Sequence, residues 1–266
     1  MVRGMSPSLI RRGNGKHEAD IAGTTLKVFT YRPAGTPRRL LLVFHGLNRD
    51  AGPYRNNARV LAERIGAIVI APEFDAGRFS IDLYQRGGVA KDGAFVPAGN
   101  RTVDLIAPLL AWAREASGHP ELPHALLGHS AGGQFLSRVT AFAPTEPAHF
   151  IVANPSTWVA PSLTDAVPFG FGGTPDAENA LRAYLERPVV ALLGQEDTGT
   201  HNLSSEPEAV ALGATRLERG RNTFAKAKAV AQERGWPFGW QLVEVPGIGH
   251  NAALMFSSPQ AVAIFR

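Results

Sequence analysis

The sequence contains no cysteine among its 266 residues. Disulfide bonds, thiolate metal sites and a cysteine nucleophile are therefore excluded. The sequence also has no apolar run of the roughly 18 to 20 residues that a membrane helix needs, and its opening segment lacks the apolar centre of a secretory signal. These absences predict a protein that does not enter a membrane. They favour the cytoplasm, with a removed secretory signal as the alternative.

Charge of one sign is not concentrated anywhere. There are 27 Lys and Arg against 23 Asp and Glu, for a formal net charge of +4. Because no long run of like charges occurs, a nucleic-acid surface is not predicted. The basic segment 216–230 is typical of a solvated helix face. The histidines show neither H-x-x-x-H nor H-E-x-x-H spacing, so no metal and no cofactor is predicted.

Short apolar runs alternate with segments of helical periodicity. The runs at 39–46, 67–73, 124–130 and 188–197 are continuous, as in strands that are buried on both faces of a parallel sheet. Helices are predicted in between, at 56–65, 102–116, 131–142, 176–186 and 224–234. The alternation indicates the α/β class, with a mostly parallel, doubly wound sheet flanked by helices.

Two segments near the start predict antiparallel edge strands, at 17–22 and 26–31. The composition shows no linker and no internal repeat. We therefore predict a flexible tail over 1–16 and one domain over 17–266.

The stretch Gly128-His129-Ser130-Ala131-Gly132 has the G-x-S-x-G pattern and lies between an apolar run and a predicted helix. In this context the glycines allow the backbone to turn sharply and to expose the serine hydroxyl. We interpret Ser130 as a catalytic nucleophile. The alternative is an idle serine in a glycine-rich turn.

A serine nucleophile needs a base, and the base needs an acid that orients it. Asp197 follows one late apolar run, and His250 follows the last one. The order serine, acid, histidine predicts that His250 is the base and Asp197 the acid. Glu196 and Asp165 are the alternatives for the acid.

An acyl-transfer site also needs two N–H donors for the developing oxyanion. The backbone N–H of Ala131, directly after the nucleophile, and that of Leu47, after an early strand, are the candidates. Asn154 and Trp158 follow the next strand, and Phe74 lies in a long loop after another. These three side chains are predicted to bind the substrate, and a ring packed into the core is the alternative for Trp158.

Four motifs together resemble the α/β-hydrolase superfamily: HGL at 45–47, GHSAGG at 128–133, GQED at 194–197 and VPGIGH at 245–250. Within it, the chain is similar to the serine esterases that include polyhydroxyalkanoate depolymerase-like and feruloyl-esterase-like proteins. The resemblance implies the superfamily and does not imply a substrate. Together with the predicted triad, it leads us to expect a serine hydrolase that cleaves a small-molecule carboxylic ester through an acyl-enzyme, without a cofactor.

A serine, a histidine and an acid in this arrangement also occur in other classes of protein. An amidase, a peptidase and an acyltransferase use this triad, and a non-catalytic binding protein can keep the scaffold. No oligomeric state is predicted.

Overall fold

The computed structural model describes residues 8–266, and within this range eight strands form one large sheet. A separate pair, β5 and β6, forms a short hairpin. In chain order the strands are β1 (Gly13–Ile21), β2 (Thr24–Arg32), β3 (Arg39–Phe44), β4 (Ala67–Glu73), β5 (Ala90–Lys91), β6 (Ala94–Phe95), β7 (His124–His129), β8 (Phe150–Ala153), β9 (Val189–Gly194) and β10 (Gln241–Val245).

The large sheet has the order β1-β2-β4-β3-β7-β8-β9-β10. From β4 to β10 neighbouring strands are parallel, whereas β1 pairs with β2, and β2 with β4, in antiparallel fashion. This arrangement confirms the predicted α/β fold and the two antiparallel strands. The single domain over 17–266 stays a prediction.

Helices cover both faces of the sheet. They are α1 (Ala51–Asn57), α2 (Arg59–Ile65), α3 (Ile106–Ser117), α4 (Ala131–Phe142), α5 (Ala177–Glu186), α6 (Pro207–Val210), α7 (Arg216–Arg234), α8 (Ala252–Ser257) and α9 (Pro259–Ala263). Among residues 8–266, no helix has both the length and the apolar character to cross a membrane.

The apolar core is divided between the two faces. Leu40 and Leu42 of β3 pack in the cluster that α3, α4, α5 and α7 complete. Leu41 and Val43 point the other way and pack with α1, α2, α8 and α9. Since successive side chains of a strand alternate between faces, a strand covered on both sides is apolar at every position. This explains the continuous apolar runs.

The predicted tail over 1–16 is wrong from residue 8 onwards, and residues 1–7 lie outside the described residues. Ile10 is buried in the core, and its N–H donates to the carbonyl of Ala116. Strand β1 then begins at Gly13. A single buried isoleucine and pairing with β2 order this segment, and neither is visible in a short polar sequence.

Two helices differ from their predicted extents. The segment predicted as a helix over 56–65 forms α1 and α2, and α1 begins earlier, at Ala51. Helix α7 begins at Arg216 instead of Phe224, because the Thr215 side chain caps it by accepting the N–H of Glu218. Apolar periodicity alone underestimates a helix whose first turns carry buried arginines.

Helix α4 leaves the end of β7 in very close contact with neighbouring backbone. A Cβ placed on Gly132 would lie 2.2 Å from the carbonyl oxygen of Phe44, at the end of β3. A Cβ placed on Gly128 would lie 2.2 Å from the oxygen of Gly132. No side chain larger than hydrogen fits at these two positions.

We expect Gly132→Ala to lower the free energy of unfolding by about 3 kcal/mol or more, because the backbone at Phe44 must move to accept the methyl group. Urea denaturation measures this change. Gly35→Ala is the matched control, since a Cβ on Gly35 meets no atom within 4 Å. Equal stability of the two variants would contradict the close approach of α4 to β3.

Candidate active site

Ser130 occupies the turn between β7 and α4. Its φ of 58° and ψ of −118° belong to a region that side-chain-bearing residues rarely adopt. Backbone hydrogen bonds hold this conformation, because the Ser130 N–H donates to Ala153 O and the Gln134 N–H donates to Ser130 O, each at 3.0 Å. The strained turn directs the hydroxyl into a cleft at the carboxyl ends of the strands.

His250 lies between Ser130 and Asp197. Its Nδ1 is 2.6 Å from Asp197 Oδ2, and its Nε2 is 2.9 Å from Ser130 Oγ. Because a carboxylate only accepts hydrogen bonds, Nδ1 carries the proton and Nε2 is free to accept that of the serine. The three residues follow β7, β9 and β10, whose carboxyl ends share one edge of the sheet. The fold therefore brings the three predicted side chains into contact.

The alternative acids lie elsewhere. Glu196 is exposed, and its N–H is bound to the carbonyl of Ile248. Asp165 faces Lys226, with 3.9 Å between charged atoms. Asp197, by contrast, is only 1% exposed and contacts the imidazole.

Arg216 is the second partner of Asp197, and the sequence analysis missed it. Its Nη1 lies 3.6 Å from Asp197 Oδ1, and both side chains are buried. Its Nη2 donates to the carbonyl of His201, which borders the cleft. The segment 216–230 is therefore not wholly a solvated face. One sequence signal was available: Thr215 and Glu218 form a pair that is typical of a helix start. It would have placed Arg216 in the first turn of a helix, although not its contact with Asp197.

His129 lies under the His250 imidazole. The centroids of its ring and of the His250 ring are 4.6 Å apart, and Tyr54 Oη lies 3.2 Å from its Nδ1. Burial lowers the pKa of His129 well below the usual value, and the nearby His250 and Arg216 add to the effect. His129 is thus a neutral packing surface beneath His250.

The two predicted oxyanion donors border the same cleft as Ser130. Leu47 follows β3, and Ala131 is the first residue of α4. Within residues 8–266, the backbone N–H of neither residue has a hydrogen-bond acceptor. Both N–H groups are therefore free to bind an oxygen of a ligand.

His45 holds the loop that carries Leu47. The Phe74 N–H donates to His45 Nε2 at 3.0 Å, so the ring proton is on Nδ1, which donates to Gly46 O at 3.0 Å. The Tyr84 hydroxyl donates to the His45 carbonyl. Burial lowers the pKa of His45 to about 4. The ring is therefore neutral, and the hydrogen bond that Nε2 accepts from Phe74 requires that state.

The three predicted substrate-binding side chains do not border the cleft. Trp158 is 1% exposed and stacks on Trp240. Phe74 packs inside the core. Asn154 is buried, where its Oδ1 accepts the N–H of Gly194 and joins the ends of β8 and β9. These predictions are wrong because a position after a strand does not decide whether a side chain turns inward or outward.

The cleft itself encloses about 600 Å³ and is mainly polar. The residues that border it beside Ser130 and His250 include Asn48, Gln85, Arg86, Gln134, Ser204 and Glu206. Within the described range 8–266, no three acidic or histidine side chains come together as a metal site would require.

Solved structures resemble the chain over nearly its whole length. Poly(aspartic acid) hydrolase-1 from Sphingomonas sp. KT-1 is 32% identical with a TM-score of 0.87, covering 95% of this chain and 98% of that one. The poly(3-hydroxybutyrate) depolymerase LpqC from Bordetella parapertussis is 29% identical with a TM-score of 0.86, covering 96% of both chains. The siderophore hydrolase EstB from Aspergillus nidulans shares the fold, at 16% identity and a TM-score of 0.57 over 97% of both chains. No protein-family model and no curated protein sequence matches the chain.

The neutral state of His45 leads to a pH-dependent stability. Its folded pKa of about 4 lies below the ordinary value of 6.5, so the unfolded chain binds the proton first. The stability that His45 contributes is present above about pH 6.5 and is lost as the pH falls toward about 4.

We expect His45→Phe to be less stable than the wild type by about 1 to 3 kcal/mol at pH 7.5, because the Phe74 N–H and the Gly46 carbonyl lose their partner. This difference should shrink as the pH falls from 6.5 to 4. Urea unfolding of both proteins across this range measures it, and the other histidines, which the two proteins share, cancel. A difference that is constant with pH would contradict a neutral, buried His45.

Proposed function

The chain belongs to the α/β-hydrolase superfamily and is a carboxylic ester hydrolase, and on this premise we propose that Ser130, His250 and Asp197 form its catalytic triad. The observation that carries the proposal is the continuous chain of contacts from Asp197 Oδ2 through both ring nitrogens of His250 to Ser130 Oγ. Such a chain is what a weak hydroxyl nucleophile needs.

In this mechanism Ser130 Oγ attacks the ester carbonyl while His250 Nε2 takes its proton. The imidazolium then gives that proton to the leaving alcohol, and an acyl-enzyme remains. A water molecule, deprotonated in turn by His250, then attacks the acyl carbon. The bond to Ser130 Oγ breaks, the acid leaves, and the imidazolium returns the proton to Oγ. Asp197 fixes the ring orientation and stabilises the imidazolium throughout.

The charge that develops on the carbonyl oxygen needs donors that are already in position. We assign this role to the N–H groups of Leu47 and Ala131. Their lack of protein acceptors within residues 8–266 supports the assignment. The fixed conformation of the His45 loop supports it as well, because a donor that must reorient during the reaction stabilises the transition state less.

The substrate is an ester of a small molecule or of a polymer. The Bordetella protein is, by its name, a depolymerase of poly(3-hydroxybutyrate), and the two chains cover each other almost completely. Amide hydrolysis is the second candidate, because the Sphingomonas protein is named as a hydrolase of poly(aspartic acid). A panel of p-nitrophenyl esters, aryl amides and the two polymers separates these activities.

We expect Ser130→Ala to lower kcat for p-nitrophenyl esters by several orders of magnitude, because only the oxyanion donors and substrate binding remain. The wild type should also react covalently with a fluorophosphonate at Ser130, and the variant should not. Circular dichroism and thermal unfolding control for folding. Turnover of the folded variant at the wild-type rate would falsify the assignment of the nucleophile.

We expect Asp197→Asn to lower kcat by about 10³ to 10⁴, because an amide can neither enforce the required tautomer nor stabilise the imidazolium. Glu196→Gln is the matched control one residue away and should lose less than about tenfold, since its side chain is solvated. Steady-state kinetics on variants of equal thermal stability measure both. The reverse ranking would reject Asp197 as the acid.

A further inference from the structure

Gln134 lies one helical turn beyond the nucleophile on α4. Its backbone N–H donates to Ser130 O at 3.0 Å, and four residues of helix advance about 6 Å along the axis. Its side chain borders the same cleft as Ser130 and keeps an exposed fraction of 6%. An amide held there is within reach of a substrate bound at Ser130.

The orientation of this amide is determined by its partners. Gln134 Oε1 accepts hydrogen bonds from Arg86 Nη1 and from Thr157 Oγ1, each at 2.9 Å. Thr157 Oγ1 itself accepts from Arg86 Nη1 and Arg138 Nη1, so its own hydrogen points to Gln134. Exchanging the amide oxygen and nitrogen would set an NH₂ group against two donors.

The nitrogen end of the amide has no partner among residues 8–266. Within residues 8–266, Gln134 Nε2 makes no hydrogen bond, and it is not among the atoms sealed away from solvent. It is therefore a fixed donor that opens into the cleft. A donor whose orientation is already fixed loses little freedom when an acceptor binds.

The surrounding charges decide which kind of acceptor fits. Arg86 pairs with Glu206, whose carboxylate also borders the cleft. Burial raises the pKa of Glu206, but hydrogen bonds from Arg86 and Ser204 outweigh this and bring it below the usual value. Arg138 is fully buried and does not border the cleft. An anion beside Gln134 would meet the ionised Glu206 carboxylate as well as the Arg86 guanidinium, and because this pair has no net charge, an uncharged acceptor is favoured.

We propose that Gln134 Nε2 binds a second, uncharged carbonyl oxygen of the substrate, about 6 Å, or one helical turn, from the scissile carbonyl. The enzyme then selects esters that carry a further ketone or ester carbonyl over plain alkyl esters. This inference rests on the proposed function, because it places the second carbonyl relative to a bond cleaved at Ser130.

Matched substrates test the proposal. p-Nitrophenyl 5-oxohexanoate and p-nitrophenyl hexanoate differ by one carbonyl on the acyl side, and 3-oxobutyl acetate and butyl acetate differ in the same way on the alcohol side. We expect the wild type to favour the oxo ester by about tenfold or more in kcat/KM for at least one pair. Mono-p-nitrophenyl glutarate, with a carboxylate in that place, should be a poorer substrate than the ketone.

Gln134→Glu is the decisive variant. It keeps the oxygen that Arg86 and Thr157 require, and it replaces the donor nitrogen by an acceptor oxygen. We expect the preference for the oxo ester to fall to about unity or below. Gln85→Glu adds the same charge elsewhere in the cleft and leaves the Gln134 amide in place, so the ratio of the two kcat/KM values should stay near that of the wild type.

Three results would overturn the proposal: no preference within either pair, a preference that Gln134→Glu retains, or an equal loss in Gln85→Glu. Failure of the proposed function would look different, since neither plain nor oxo esters would turn over and no fluorophosphonate would react.

Binding to Ser130→Ala tests the subsite without catalysis. 5-Oxohexanoate should bind several-fold more tightly than hexanoate, and adding Gln134→Glu should remove the difference. Equal affinity for the two acids would reject the subsite whether or not the enzyme cleaves esters.

Discussion

The whole site depends on how closely helix α4 approaches the ends of β3 and β7. Because α4 passes so close to the carbonyl of Phe44 at Gly132, Ser130, Ala131 and the loop after β3 border one cleft. A wider separation would leave Ser130 exposed but without two donors directed at the same oxygen. The packing of backbone against backbone thus places Ser130, the proposed nucleophile, in one cleft with the two N–H groups to which we assign oxyanion binding.

Three imidazoles lie in this site or in the loop beside it, and their surroundings give them different protonation behaviour. His45 and His129 are buried, which lowers the pKa of each and keeps both rings neutral. His250 is exposed and paired with Asp197. A charged His129 ring, with its centroid 4.6 Å from that of His250, would repel an imidazolium there. The neutral His129 ring therefore supports His250 and adds no positive charge beside it, while His45 holds the loop after β3.

Sequence patterns predicted the fold and named the three side chains that the fold brings into contact, because each follows a parallel strand and such strands end at one edge. The direction of a side chain after a strand was not predictable from the sequence. The substrate-binding role predicted for Trp158 was therefore wrong, because this side chain is buried in the core. Arg216 and Gln134 were missed for a related reason. Their roles depend on Asp197, Arg86 and other partners that lie far away in the chain, and no local pattern encodes such a meeting.

Arg216 joins Asp197 to the carbonyl of His201, so the acid and one wall of the cleft share a single guanidinium. Insertions or deletions in the loop that carries His201 would disturb the acid together with the wall. New substrate ranges are therefore expected to arise in relatives through changes at cleft positions that lie outside this loop. The bridge thus restricts which part of the cleft can change while Asp197 keeps its position.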